Sequence, residues 1–175
     1  MAEQKTTIRK HEKALSGDIM LTHLIVWEAG NRACRELQEG SNAMSEQAEF
    51  YANKLKYETD SWDLFTMLTD GEAVVVVDAR SADAYAAEHI PGAISFPHRT
   101  MNEEAAAALD KTALYVTYCD GIGCNASTKG ALKLTELGFR VKELLGGLDW
   151  WKRDGYATEG AGASPGRAVV CGCEG

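Results

Sequence analysis

Residues 115–125 read Tyr-Val-Thr-Tyr-Cys-Asp-Gly-Ile-Gly-Cys-Asn. The stretch closes a short apolar, β-branched and aromatic run, Ala113–Tyr118, which breaks at Cys119 and is followed by Gly121 and Gly123. From Asn125 onward Ala131, Leu134 and Leu137 recur at helical spacing. The order predicts a strand, a tight loop and a helix. Such a loop turns successive backbone N–H groups inward and ends on a helix N-terminus, and both features favour an anion at its centre. The residue at its mouth is a thiol, so Cys119 is read as a nucleophile that the loop helps to ionise.

The flanking sequence alternates in the same way. Val74–Val77 is a continuous β-branched run, the signature of a strand buried on both faces of a parallel sheet. Asp78-Ala79-Arg80 follows, then Ser81 as the cap of a short helix to about Glu88, the turn His89-Ile90-Pro91-Gly92 and a short strand from Ala93 to Phe96. Asn102–Leu109 is alanine-rich and helical, and Val141–Leu145 is a further short strand. Gly146-Gly147 then turns the chain into a last helix that carries Trp150 and Trp151 and ends by Gly155. Upstream, a single-face helix runs from Ala48 through Leu55, Tyr57-Glu58-Thr59 is an edge-strand candidate, and a second helix covers Leu64–Leu68. The fold class is α/β.

Three segments emerge. Residues 1–43 form an N-terminal extension with a helical pattern over Ile19–Leu37; 44–157 hold the α/β domain with its leading helix; 158–175, rich in Gly and Ala, read as a flexible tail. The break at Gly40–Met44 leaves the extension open as a natural segment, a fusion, or the region before a second start at Met44. It carries six basic and six acidic residues, so the whole net charge of −8 belongs to 44–175. That balance, without a basic patch, excludes a nucleic-acid role. No apolar run is long enough to span a membrane, and residues 1–20 lack a signal segment, so a cytoplasmic protein is expected.

Five cysteines, Cys34, Cys119, Cys124, Cys171 and Cys173, make no disulfide framework. Cys34 is read as a small buried residue, and His11 and His23 as surface or packing residues. Cys171-Gly172-Cys173 lacks the further ligands a metal site needs, so no metal is expected. It is read as an exposed tail segment, or as a thiol delivered to Cys119. Cys124 either fills space at the helix N-terminus or serves as a second thiol able to form a disulfide with Cys119, for which the Cα atoms must lie within ~7 Å.

Taken together, Val-Val-Asp-Ala-Arg (76–80), Tyr85, His89-Ile90-Pro91-Gly92-Ala93, Tyr118-Cys119, Leu137-Gly138-Phe139 and Leu145-Gly146-Gly147 with a following Trp resemble a single-domain rhodanese. They match the subgroup with a Cys-x-Gly-x-Gly-Cys-Asn loop. The resemblance implies a mostly parallel sheet with helices on both faces and a sulfurtransferase that needs no cofactor. It implies that Cys119 carries the persulfide, and that the loop of Asp120, Gly121, Ile122, Gly123, Cys124 and Asn125 cradles it. Asp78 and Arg80 match a structural Asp-x-Arg, and His89 a turn anchor. The expected partners are a small-molecule or protein-persulfide donor and a thiol or cyanide acceptor, with the oligomeric state open. Two other functions compete: a redox or binding module switched by Cys119 and Cys124, and, less favoured, a phosphatase or arsenate reductase. Many relatives have an arginine in this loop. Here the loop holds one acid, Asp120, and no base, with Lys129 the nearest candidate cation, which predicts weak affinity for thiosulfate.

Overall fold

Val74–Val77 does what four consecutive β-branched residues favour: it forms the inner strand of a sheet covered on both sides. In the computed structural model, which describes residues 45–167, the chain divides after Tyr51, and the fold is that of the second unit. Residues 45–57 are helical (α1). Then follow β1 (Glu58–Thr59), α2 (Ser61–Thr69), β2 (Val74–Asp78), α3 (Ala82–Ala87), β3 (Ile94–Ser95), α4 (Glu103–Ala106), β4 (Leu114–Tyr118), α5 (Ala126–Glu136), β5 (Arg140–Leu144) and α6 (Gly147–Asp154). The helix starts are set by side chains that accept a backbone N–H: Asp60 for α2, Ser81 for α3 and Asn102 for α4.

The five strands run in the order β1-β5-β4-β2-β3, and every neighbouring pair is parallel. Alternate residues of each strand face opposite sides, which builds two cores. Val76, Val116 and Tyr118 meet Leu64 of α2 and Leu148 and Trp151 of α6. Val77 and Tyr115 meet Ala126 and Leu134 of α5, Ala106 of α4 and Phe139. The α/β class with helices on both faces therefore holds. β4, flanked by β2 and β5, ends at Tyr118, so Cys119 lies at the C-terminal edge of the sheet, where parallel sheets open their crevices.

The tail differs from expectation over the part described. Residues 158–167 fold back and are hydrogen-bonded rather than loose: Glu159 and His89 exchange backbone bonds, Gly162 N–H donates to Ala87 O, and Arg167 N–H donates to Gly155 O. Thr158 is buried, and its hydroxyl donates to Glu88. Backbone groups of the segment are thus paired largely with backbone at the end of α3, in the α3–β3 connection and at the end of α6. The helical pattern Ile19–Leu37, His11, His23, Cys34, the break at residues 40–44, Cys171 and Cys173 lie outside the described residues.

Candidate active site

Cys119 heads the loop that joins β4 to α5, and the loop is fastened from behind by α6. Leu148 N–H donates to Cys119 O at 2.9 Å, and Asp149 N–H donates to Asp120 O at 2.8 Å. The first turn of α6 thus gives N–H groups that have no partner within the helix to two loop carbonyls. This contact requires Gly147: at φ +56° a Cβ would sit 2.3 Å from Cys119 O. A turn closes the loop tip, with Cys124 N–H donating to Gly121 O. The loop borders a cavity of about 290 Å³ lined by Cys119, Gly121, Ile122, Gly123, Cys124 and Asn125 on one side, and by Ser127, Thr128, Glu58 and Glu143 on the other. Asp120 does not line it. Neither does Lys129, the one cation the sequence reading offers.

Cys119 is 2% exposed. Its S–H lies 3.0 Å from the Cys124 carbonyl, an acceptor suited to the protonated thiol. Ser127 Oγ lies 3.3 Å from the sulfur and 2.7 Å from Glu143 Oε1. The hydroxyl has one proton to give, so it donates to Glu143 while Cys119 is a thiol and can turn to Sγ once the thiolate forms. The net direction corrects the expectation of an easily ionised thiol. Burial pushes the Cys119 thiol above its ordinary value, aided by the Cys124 side chain, and the Ser127 contacts only partly offset it. The loop is present, but carbonyl oxygens as well as amides face the sulfur.

Asp78 and Arg80 form the buried pair that the sequence reading assigns to structure. The Asp78 carboxylate accepts from Arg80 Nε (2.9 Å), Arg80 Nη2 (2.7 Å), Arg80 N (3.0 Å) and Tyr118 OH (2.7 Å). Burial and the neighbouring Asp78 carboxylate push the Tyr118 phenol up, so it stays a donor. The guanidinium also reaches the loop, with Arg80 Nη1 at 2.7 Å from Asp120 Oδ1. An arginine does serve this loop, from the segment just after β2 rather than from the loop itself, and it offsets the Asp120 charge. His89 lies away from the cavity: Nδ1 meets Tyr85 O at 2.8 Å, its ring stacks on Tyr85 and Nε2 is 3.5 Å from Glu159.

Cys119, Cys124 and the loop are therefore brought together. Asp78 and Arg80 join them through Asp120, and His89 does not. Ser127, Glu143 and Glu58 went unread. Their only signal in the sequence is two acids inside strand candidates, Glu58 and Glu143. β1 and β5 pair these two residues directly. Both cysteines described are free thiols. Among the described residues no group of three or more His, Cys, Asp or Glu side chains could hold a metal ion, and no helix is long and apolar enough to cross a membrane.

The profile of the rhodanese-like domain matches residues 62–154. A Bacillus halodurans protein of known structure is 41% identical over 73% of this chain and 94% of its own, with a TM-score of 0.66. The rhodanese-like domain of an Anabaena protein is 30% identical over 67% of this chain and 91% of its own, with a TM-score of 0.55. The structure of a thiosulfate sulfurtransferase from Pseudomonas aeruginosa shares the fold at 24% identity, over 68% of this chain and 23% of its own, with a TM-score of 0.55. No match is found among curated protein sequences.

Proposed function

The chain belongs to the rhodanese-like family, and on that premise we propose that it is a sulfurtransferase working through a Cys119 persulfide. One observation carries the reading: Cys119 borders a cavity of about 290 Å³ and heads a loop that α6 fastens through the Cys119 and Asp120 carbonyls, which leaves room beside the thiol for one extra sulfur. In the first half-reaction the Cys119 thiolate attacks the outer sulfur of the donor. A sulfur–sulfur bond forms, the donor's own bond to that sulfur breaks, and the remainder leaves with the electron pair. In the second, a thiolate or cyanide attacks the terminal sulfur and Cys119 departs as thiolate, the ping-pong course of covalent catalysis. The raised Cys119 pKa makes deprotonation part of the barrier. The Ser127 hydroxyl is the donor placed to stabilise the thiolate as it forms.

The test is a panel of thiosulfate, 3-mercaptopyruvate and glutathione persulfide with cyanide as acceptor. Cys119→Ser loses turnover with every donor, because a hydroxyl cannot hold a transferable persulfide. Cys124→Ser keeps single-turnover loading. Full activity in Cys119→Ser refutes the reading.

A second reading draws on the position of Cys124, which lines the same cavity. A Cys124 thiolate that attacks Sγ of the Cys119 persulfide forms a Cys119–Cys124 disulfide and releases hydrosulfide, so no outside oxidant is consumed. Persulfide-loaded wild type then accumulates the disulfide when the acceptor is withheld, and Cys124→Ser does not.

A further inference from the structure

We propose that Glu143, with Glu58 beside it, selects the sulfur donor by charge, favouring persulfides that carry an ammonium group near the sulfane sulfur over dianions such as thiosulfate. The proposal rests on the sulfur-transfer reading and names its donor class.

Glu58 and Glu143 are register partners on adjacent parallel strands. Their side chains leave the same face of the sheet, and like charges so placed oppose folding. Both border the Cys119 cavity, whose lining contains no Lys or Arg. The two acids are not equivalent. Glu58 is paired with Lys54 at 2.5 Å, whereas no cation pairs with Glu143 among the described residues. Glu143 Oε1 is held by the hydroxyls of Ser127 (2.7 Å) and Thr128 (2.8 Å). Oε2 has no partner among the described residues and is left for a ligand. The Ser127 oxygen touches both groups, which bounds the separation of Glu143 Oε1 from the Cys119 sulfur at about 6 Å.

The acid in the loop is a weaker determinant. Asp120 is engaged by Arg80 at 2.7 Å and stands outside the cavity lining. The charge a donor meets is therefore that of the sheet edge. A unit charge ~6 Å away in a medium of effective dielectric ~20 is discriminated by about a hundredfold, and ionic screening reduces this to about tenfold. An aminothiol persulfide places its ammonium a few bonds from the sulfur it gives up, within reach of Glu143. Thiosulfate brings negative charge to the same place.

Two measurements on the full-length chain test this. The first needs no sulfur transfer: Cys119 is modified with 2-aminoethyl and 2-sulfonatoethyl methanethiosulfonate, which share a reactive group and differ in charge. The thiolate attacks the sulfenyl sulfur and methanesulfinate leaves, and peptide mass reads the adduct at Cys119. Relative to free cysteine, wild type favours the cationic reagent by about a hundredfold, about tenfold for each of the two unit charges by which the reagents differ, and Glu143→Gln removes most of that preference. Glu58→Gln removes less, because its charge is shared with Lys54. Ser127→Ala, which deletes the hydroxyl bridge and keeps the charge, preserves the preference. The second compares persulfide loading by cysteamine persulfide and by thiosulfate. Glu143→Gln lowers the first and raises the second. A reagent ratio unchanged in Glu143→Gln, or both reagents slowed alike, overturns the proposal. Charge preference at Cys119 with no loading from any donor overturns the sulfur-transfer reading instead, and the donor class with it.

Discussion

On one side of the Cys119 loop, the fully buried Asp78 carboxylate meets a guanidinium, a phenol and a backbone amide, and the same guanidinium extends to Asp120. On the other side, the Glu143 carboxylate is held only by hydroxyls, with a second carboxylate opposite it in register. The first cluster compensates its charges and fixes the end of β2 to the loop. The second leaves charge unspent at the wall of the cavity. Compensated charge costs little in the folded state while both partners remain and much when one is lost. Uncompensated charge is a standing cost that a ligand can relieve. One cluster holds the loop in place; the other, on the reading above, faces what enters.

The comparison breaks if the two clusters respond alike to removal. Arg80→Ala strands the buried Asp78 charge and should cost about 3–5 kcal/mol in denaturant unfolding. Glu143→Gln should change stability by less than ~1 kcal/mol, because it also relieves the Glu58–Glu143 repulsion. Equal losses in the two variants would show that Glu143 is structural. Gly147→Ala tests the fastening behind the loop. A Cβ there meets Cys119 O at 2.3 Å in a left-handed backbone, so a loss of about 1–3 kcal/mol is expected, with Cys119 loading impaired beyond what the remaining folded fraction explains.

The Asp120 effect is smaller. Its side chain is 70% exposed and paired with Arg80, so Asp120→Asn should raise kcat/KM for thiosulfate only about twofold, less than Glu143→Gln. A larger gain from Asp120→Asn than from Glu143→Gln would return donor choice to the loop.

The smallest effect is on pH dependence. The folded state raises the Cys119 pKa above its ordinary value, so it favours the protonated thiol. The resulting stability is full below the unfolded pKa and is lost as pH rises through the folded one. Cys119→Ala should flatten the alkaline fall of Tm. In wild type the rate constant for persulfide loading should still climb with pH beyond the ordinary thiol value.

The sequence made the sheet legible because Val74–Val77 and Ala113–Tyr118 are too β-branched and too continuous for other elements, and the loop legible because two glycines and a thiol follow a strand. The Asp78–Arg80 pairing is local, two residues apart, and could be read from the motif. The link from Arg80 to Asp120 crosses forty positions, and no pattern announces it. The Glu58–Glu143 pair arises only when β1 docks beside β5. The direction of the Cys119 pKa, expected downward and found upward, was misread for a different reason. Glycine spacing tells that a loop is tight, but not which carbonyls turn toward the sulfur or how deeply it is buried.

Peptide mass spectrometry of the wild-type chain after brief exposure to a persulfide donor tests the central claim most directly. The expected result is the mass of one added sulfur on the peptide containing Cys119, lost on adding cyanide with one equivalent of thiocyanate formed, and no such adduct at position 119 in Cys119→Ser. Thiocyanate formed at the wild-type rate by Cys119→Ser, or the transferable sulfur found on another cysteine while Cys119 stays unmodified, would contradict it.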